Sequence, residues 1–234
     1  MTKEYSIAGA ILIVGFAIAG AIYFGPMTTA PNSAVDIAQE DATAALAIIS
    51  PVTDADYVRG STNPDLTIIT YDDYECPYCK LQHNNIRAVW AEISDNVRWV
   101  HRHFPLTSIH TKAVTEALAA ECVGSIGGND AFWKFTDNIF DVTPSNDGLD
   151  LAILPTLAVQ AGVSTEAYET CMLTAEEAFG DKLDTHTNEA IKSGGNGTPW
   201  TILIYKDGTR DAIPGAMTDE GVAIVFGEYL NNEQ

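Results

Sequence analysis

Ten consecutive residues, Tyr71-Asp72-Asp73-Tyr74-Glu75-Cys76-Pro77-Tyr78-Cys79-Lys80, constrain this chain more than any other stretch. The apolar run Leu66 to Thr70 precedes them and reads as a buried strand, while Ile86, Val89, Trp90 and Ile93 follow at helical spacing. Cys76 therefore sits where a strand hands over to a helix. Pro77 has no amide hydrogen to lose and a φ suited to the first helical position, which puts Cys76 at the N-cap and Cys79 one turn inside. The two sulfurs then share one face, within disulfide reach. Unpaired amide hydrogens and the positive end of the helix dipole converge on Cys76 and favour its thiolate, the reactive form. A strand, Cys-x-x-Cys and a helix in that order make a redox constellation.

The competing reading of this pair is half of a zinc site. Nothing that would complete it lies at zinc-site spacing, so no metal is expected, and no cofactor either. His101, His103 and His110 read as structural histidines in strands and helix starts rather than as ligands or acid–base groups. Lys80 reads as solvated, although a cation there also favours thiolate. The formal charge of −20, from 32 acidic and 12 basic residues, excludes nucleic acid, whose phosphates such a surface repels. It is read as a solvated face in preference to an acidic substrate groove.

Residues 6–25 form the one stretch of about 20 residues without a charge that is long enough to cross a bilayer as a helix. Lys3 is the basic side chain near it and Arg59 is the next, a weak bias that leaves the N-terminus cytoplasmic and everything after Pro26 outside. A cleaved signal peptide, with Thr28 and Ala30 as small residues before the cut, is the rival; the length of the apolar run favours an uncleaved anchor. Either way the remainder lies in an oxidising compartment, where disulfides persist, and four cysteines fit that setting: Cys76, Cys79, Cys122 and Cys171.

The chain divides into a cytoplasmic start and anchor (1–25), a stalk or linker (26–60), a first βαβ half (61–107), a helical block (108–193) and a second ββα half (194–234). Pro51 to Asn63 reads as a run-in of turn residues, and Leu66 to Tyr71 as the first clear strand. Val97 to Phe104 is β-branched and aromatic and ends at Pro105, a second strand. Strand, helix and strand without a hairpin signal imply a parallel pair with a right-handed crossover. In the helical block, Val114, Leu118 and Cys122 share a face. Phe132, Trp133 and Phe135 read as core, Pro155 should bend a helix carrying Leu151, Leu154 and Leu157, Ser164 should cap the next, and Thr174 should open a capping box with Glu177. Gly194, Gly195 and Gly197 then lead into Thr198-Pro199. Asp207-Gly208 joins two strands, and Thr218 caps a last helix carrying Val222, Phe226 and Tyr229. The order predicts an α/β fold: a mixed sheet covered by helices, with a helical domain inserted between its halves.

Taken together, Cys76-Pro77-Tyr78-Cys79 after one strand, Arg102-His103-Phe104-Pro105-Leu106 after the next, the Ala-rich helix holding Cys122 with Phe132-Trp133 behind it, and Gly197-Thr198-Pro199 before the final hairpin resemble the DsbA-like thiol-disulfide oxidoreductases of the thioredoxin superfamily. The resemblance covers roughly residues 51–230. It implies a thioredoxin fold with an inserted helical domain, and a redox disulfide between Cys76 and Cys79 that passes to thiols of exported proteins. Cys76 would form the mixed disulfide and Cys79 resolve it, with Thr198-Pro199 as the cis-proline loop that receives substrate backbone. A quinone-linked membrane re-oxidase is the implied second partner. Cys122 and Cys171 are either buried thiols or a structural disulfide. The even cysteine count outside the cell, together with similar pairs in relatives, favours the disulfide, which closes about 50 residues and adds roughly 3 to 4 kcal/mol.

Two departures from that family stand out. Tyr78 occupies the place most often held by His in DsbA itself, so a milder oxidant is expected. Thr70 stands six positions before Cys76, where thioredoxin folds usually bury a carboxylate, and Asp72, Asp73 and Glu75 are expected to be exposed. A reductase or isomerase of the same fold, supported by Tyr78 and Thr198, and a non-catalytic module that holds unfolded exported polypeptides are the alternative functions.

Overall fold

The computed structural model of the chain describes residues 44–230. The expected anchor at 6–25 and the stalk up to residue 43 lie outside them. Among the described residues no helix is long and apolar enough to cross a membrane. The strands are β1 (Tyr57–Gly60), β2 (Leu66–Asp72), β3 (Val97–His103), β4 (Trp200–Tyr205) and β5 (Arg210–Pro214). The helices are α1 (Pro77–Ile93), α2 (Ala113–Val142), α3 (Leu154–Gln160, entered through a 3-10 turn at Leu151–Ile153), α4 (Thr165–Met172), α5 (Ala175–Lys192) and α6 (Asp219–Leu230).

The strands form one mixed sheet in the order β1-β3-β2-β4-β5. β2 and β3 run parallel with α1 as their crossover, as the missing hairpin signal predicts; β4, β5 and β1 add antiparallel. Every residue of the central β2 is buried, because both faces of the sheet are covered. On one face Leu66, Ile68, Trp99 and Leu203 pack with Ile86 of α1 and Phe132, Phe135 and Phe140 of α2. On the other, Ile69, Tyr71, Val100 and Ile202 pack with Ala190 of α5 and with Leu46 and Ile49.

The edge of the sheet corrects one expectation. Tyr57–Gly60, read as turn residues in a linker, is an edge strand paired to β3, and its Tyr57 ring stacks on Phe132 with centroids 3.9 Å apart. Four residues ending in glycine are too few to show period-2 alternation. Gly60 is required there: its φ is +92°, and a Cβ would lie 2.3 Å from the Val97 carbonyl oxygen. Arg102 fastens the preceding segment. Its guanidinium donates to Asp56 Oδ1 and Oδ2 (2.9 and 3.2 Å), to Glu189 Oε2 (2.6 Å) and to the Ser50 carbonyl (3.2 Å), all in a largely buried setting.

The helical block occupies the interval between β3 and β4. α2 is two helices meeting at Gly128 (φ 79°, ψ −172°). Cys122 of α2 and Cys171 of α4 are joined by a disulfide. Ser164 caps α4 through the Ala167 amide (3.2 Å), and Pro155 sits in the first turn of α3, where it costs no hydrogen bond. The expected capping box does not form: Thr174, at φ −128° and ψ 16°, makes no side-chain cap to α5. Asp207-Gly208 turns the last hairpin with Gly208 at φ +87°, and Val222, Phe226 and Tyr229 face the core.

Candidate active site

The handover from β2 to α1 is shaped by Asp73. Its Oδ1 accepts from the Glu75 amide (2.8 Å) and its carbonyl from the Cys76 amide (3.1 Å), while Oδ2 accepts from the Leu106 amide (2.7 Å) and lies 2.8 Å from His110 Nδ1. This turn delivers Cys76 to the N-cap of α1 in an extended conformation (φ −81°, ψ 120°), with Pro77 in the first turn and no side-chain cap competing for the free amides. Tyr78 points outward and is 62% exposed, whereas Cys79 is fully buried. Both cysteines are free thiols, so the structure shows the reduced pair.

Tertiary packing supplies the second half. Gln82, one turn beyond Cys79, donates to Thr201 Oγ1 (2.9 Å) and accepts from the Met217 amide (3.1 Å), tying α1 to the start of β4. The Thr198–Pro199 bond is cis, and the Thr198 carbonyl accepts from Cys76 Sγ at 3.4 Å across 122 residues of sequence. Thr198, Pro199, Cys76 and Cys79 thus form one locus, whereas Cys122 and Cys171 stand apart within the helical block.

The two thiols are tuned in opposite directions. The hydrogen bond from Cys79 is the largest influence on Cys76; with the Thr198 side chain and the amides of Tyr78 and Cys79 it outweighs burial and brings the Cys76 pKa down to about 6. Cys79 is pushed well up by burial, by its bond to Cys76 and by the negative charge of Asp72, with only the Asp73 amide (3.4 Å) favouring its thiolate. Near neutrality Cys76 is therefore a thiolate and Cys79 its proton-bearing neighbour.

The acids around this locus are buried, against expectation: Asp72, Asp73 and Glu75 are 3%, 1% and 0% exposed. Thr70 stands where a carboxylate was sought and accepts from Trp99 Nε1 (3.1 Å). Asp72 lies two residues further along the same strand face, and that period-2 relation is the signal by which the sequence could have supplied it. Burial opposes charge on Asp72, but His101, 3.4 Å from its Oδ2, and Thr70 hold its pKa below the usual range. Glu75 receives the Gly148 amide (3.2 Å) and faces Glu116 of α2, whose carboxyl is raised by burial and by Glu75 and so keeps its proton near neutrality. Lys80 turns away from the sulfurs and donates to the Thr143 carbonyl (2.7 Å). Neither Glu116 nor Glu121 was legible as a site neighbour, because both lie on an amphipathic helix whose docking sequence periodicity does not give.

Residues 52–212 match the family described as Thioredoxin. The chain belongs to the thioredoxin family. Among solved structures it is similar to DsbA2 of Pseudomonas aeruginosa (25% identity, 79% of this chain and 98% of that one, TM-score 0.61), to oxidised BdbD of Bacillus subtilis (18%, 78% and 96%, 0.64) and to alpha-DsbA1 of Wolbachia pipientis (19%, 80% and 95%, 0.63). Its fold is that of the DsbA-like thiol-disulfide oxidoreductases, as the motif order predicts. Among curated proteins, 125 residues are 34% identical to a Na(+)/H(+) antiporter NhaA 1 of Mycolicibacterium vanbaalenii, and 84 residues are 40% identical to one of Salinispora arenicola. These cover 19% and 12% of the antiporters, so the chain spans less than a fifth of either. The thioredoxin-family match runs from before β1 into β5 and so spans Cys76, Cys79, Thr198 and Pro199.

Proposed function

We propose that this chain passes a disulfide held by Cys76 and Cys79 to thiols of exported proteins, acting as an oxidant. The observation that carries this reading is the opposed tuning of the pair, with the Cys76 pKa drawn down to about 6 and Cys79 pushed up. A stabilised Cys76 thiolate is a good leaving group, so the reduced form is favoured and the disulfide oxidises its partners. The extended chain of a substrate would dock beside the cis Thr198–Pro199 bond, where backbone pairing supplies affinity without sequence selectivity.

In this reading residues 6–25 tether the protein to the cell membrane with its N-terminus in the cytoplasm and the catalytic part outside, and a quinone-linked membrane enzyme re-oxidises the pair. Alkylation trapping of the redox state of Cys76 and Cys79 in cells tests the direction. A predominantly oxidised pair is expected, and a predominantly reduced pair replaces this reading with that of a reductase or isomerase. Proteolysis of intact cells or spheroplasts, with loss of the protein from the membrane fraction after deletion of 6–25, tests the placement.

A further inference from the structure

Two segments distant in sequence border Cys76. One is Thr198–Pro199. The other runs from Thr143 to Leu149, between α2 and the 3-10 turn at Leu151–Ile153, and its backbone is strained: Ser145, Asn146 and Asp147 have φ of 65°, 53° and 61° in succession. The left-handed conformation presses Cβ against the following carbonyl oxygen, and side-chain-bearing residues adopt it singly rather than in runs. Three together persist only where their surroundings hold them, and strain of this kind collects at functional sites.

The residues on either side of the cysteine pair do much of the holding. Glu75, immediately before Cys76, accepts the Asn146 amide on its carbonyl (2.8 Å) and the Gly148 amide on Oε2 (3.2 Å). Lys80, immediately after Cys79, donates to the Thr143 carbonyl (2.7 Å). From the N-cap of α2, the Lys112 amide donates to Asp147 Oδ1 (3.0 Å), and its Nζ donates to the carbonyls of Asp147 (2.6 Å) and Leu149. Within the loop Thr143 Oγ1 accepts from the Ser145 amide (3.0 Å). Thr143 and Ser145 are thereby buried, and Asn146 between Ser145 and Asp147 is left exposed.

A segment that served only to cover Glu75 would be built more cheaply with glycine, which takes the left-handed region without strain. Asn146 tolerates that region and also brings a carboxamide, with donors and an acceptor, into solvent. Its own amide is fixed one peptide unit from Cys76, because the Glu75 carbonyl it bonds belongs to the peptide that carries the Cys76 amide. Cys76 is 4% exposed, so a polypeptide joined to its sulfur passes close to the groups that border it.

We propose that Asn146 is a specificity-determining residue: its carboxamide hydrogen-bonds the backbone of the polypeptide around the cysteine that attacks Cys76, and the strained loop holds it in place to do so. The assignment rests on the disulfide-transfer reading. The test compares transfer from the oxidised full-length protein to dithiothreitol, too small to span the two residues, with transfer to an extended uncharged peptide carrying two cysteines. Asn146→Gly keeps the backbone conformation and the amide bond to Glu75. In that variant the second-order rate constant with the peptide should fall about three- to tenfold, the worth of roughly one hydrogen bond, with the dithiothreitol constant unchanged. The ultraviolet titration of the Cys76 thiolate should stay near 6. A peptide constant equal to that of the wild type, an equal fall with both thiols, or a Cys76 titration that moves enough to account for the slowing overturns the assignment.

Asn146→Asp keeps the side-chain shape and the tolerance of the left-handed region but places a charge there. Relative to the wild type it should favour peptides with basic over acidic residues beside the cysteine, by about threefold at low salt and less as salt screens the charge. An unaltered preference overturns the contact, and this variant decides alone if Asn146→Gly does not fold. Wild-type protein that oxidises neither thiol overturns the transfer reading together with the assignment, whereas wild-type protein that oxidises both, with variants indistinguishable from it, overturns the assignment only.

Discussion

The chain contains two pairs of cysteines in opposite circumstances. Cys76 and Cys79 are separated by one helical turn at the N-terminus of α1, are free, and differ sharply in proton affinity. Cys122 and Cys171 are separated by 49 residues in sequence, are bonded, and join α2 to α4 inside the helical block, away from the cis Thr198–Pro199 bond. The same element serves exchange in one place and cross-linking in the other because thiolate stability is set by surroundings, not by the residue.

The strongest way to break this comparison is to remove single sulfurs from the first pair. Cys76→Ala should abolish disulfide transfer to a dithiol peptide. Cys79→Ala should accumulate mixed disulfides through Cys76, visible on non-reducing gels; their absence would leave only a binding role for the locus. Replacing Cys122 and Cys171 together by Ala should act on stability instead. We expect a loss of about 3 to 4 kcal/mol in urea unfolding, from the loop the bond closes, with the Cys76 titration unmoved. A shift in that titration would mean that the pairs are coupled.

A smaller effect separates the redox states. The Cys76 pKa falls from an ordinary 9.0 to about 6 on folding. A depressed pKa stabilises the folded, reduced protein where the thiolate is formed. The contribution is complete above pH 9, declines as pH falls, and is gone below about pH 6. Raising pH from 6 to 8 should therefore favour the reduced protein over the oxidised one by about 2 to 3 kcal/mol, read from paired denaturation curves. The smallest change expected is from Tyr78→His. An imidazolium beside the sulfur should lower the Cys76 titration by about one unit or less, because position 78 is largely exposed to solvent. A rise instead would show that Tyr78 already supports the thiolate.

Much of this fold could be read from local pattern. Leu66 to Thr70 is uncharged and rich in Leu and Ile because β2 is covered on both faces, and Pro77 marks the start of α1. The Asp207-Gly208 turn and the inward face of α6 were equally plain. The misses share a cause. β1 was too short to show alternation, and the acids at 72, 73 and 75 looked like surface residues because nothing local reports that α2 and the loop from Thr143 to Leu149 close over them. Thr174 was read as a cap from its neighbours in sequence, but its backbone departs from the extended conformation in which a capping side chain usually reaches the next amides.

By itself the sequence determined the strand-to-helix handover, the one-turn spacing of Cys76 and Cys79, and the amides gathered at Cys76, since these depend on groups within a few residues of each other. Tertiary structure decided which thiol is acidic and which is not. The Thr198 side chain, from 122 residues away, favours the Cys76 thiolate, and Cys79 is desolvated with Asp72 held charged beside it by His101. Hydrogen bonds along the chain are short-range and legible in order; desolvation and the fields of distant charges belong to the packed whole, and exist only once α2 and β4 have closed around the pair.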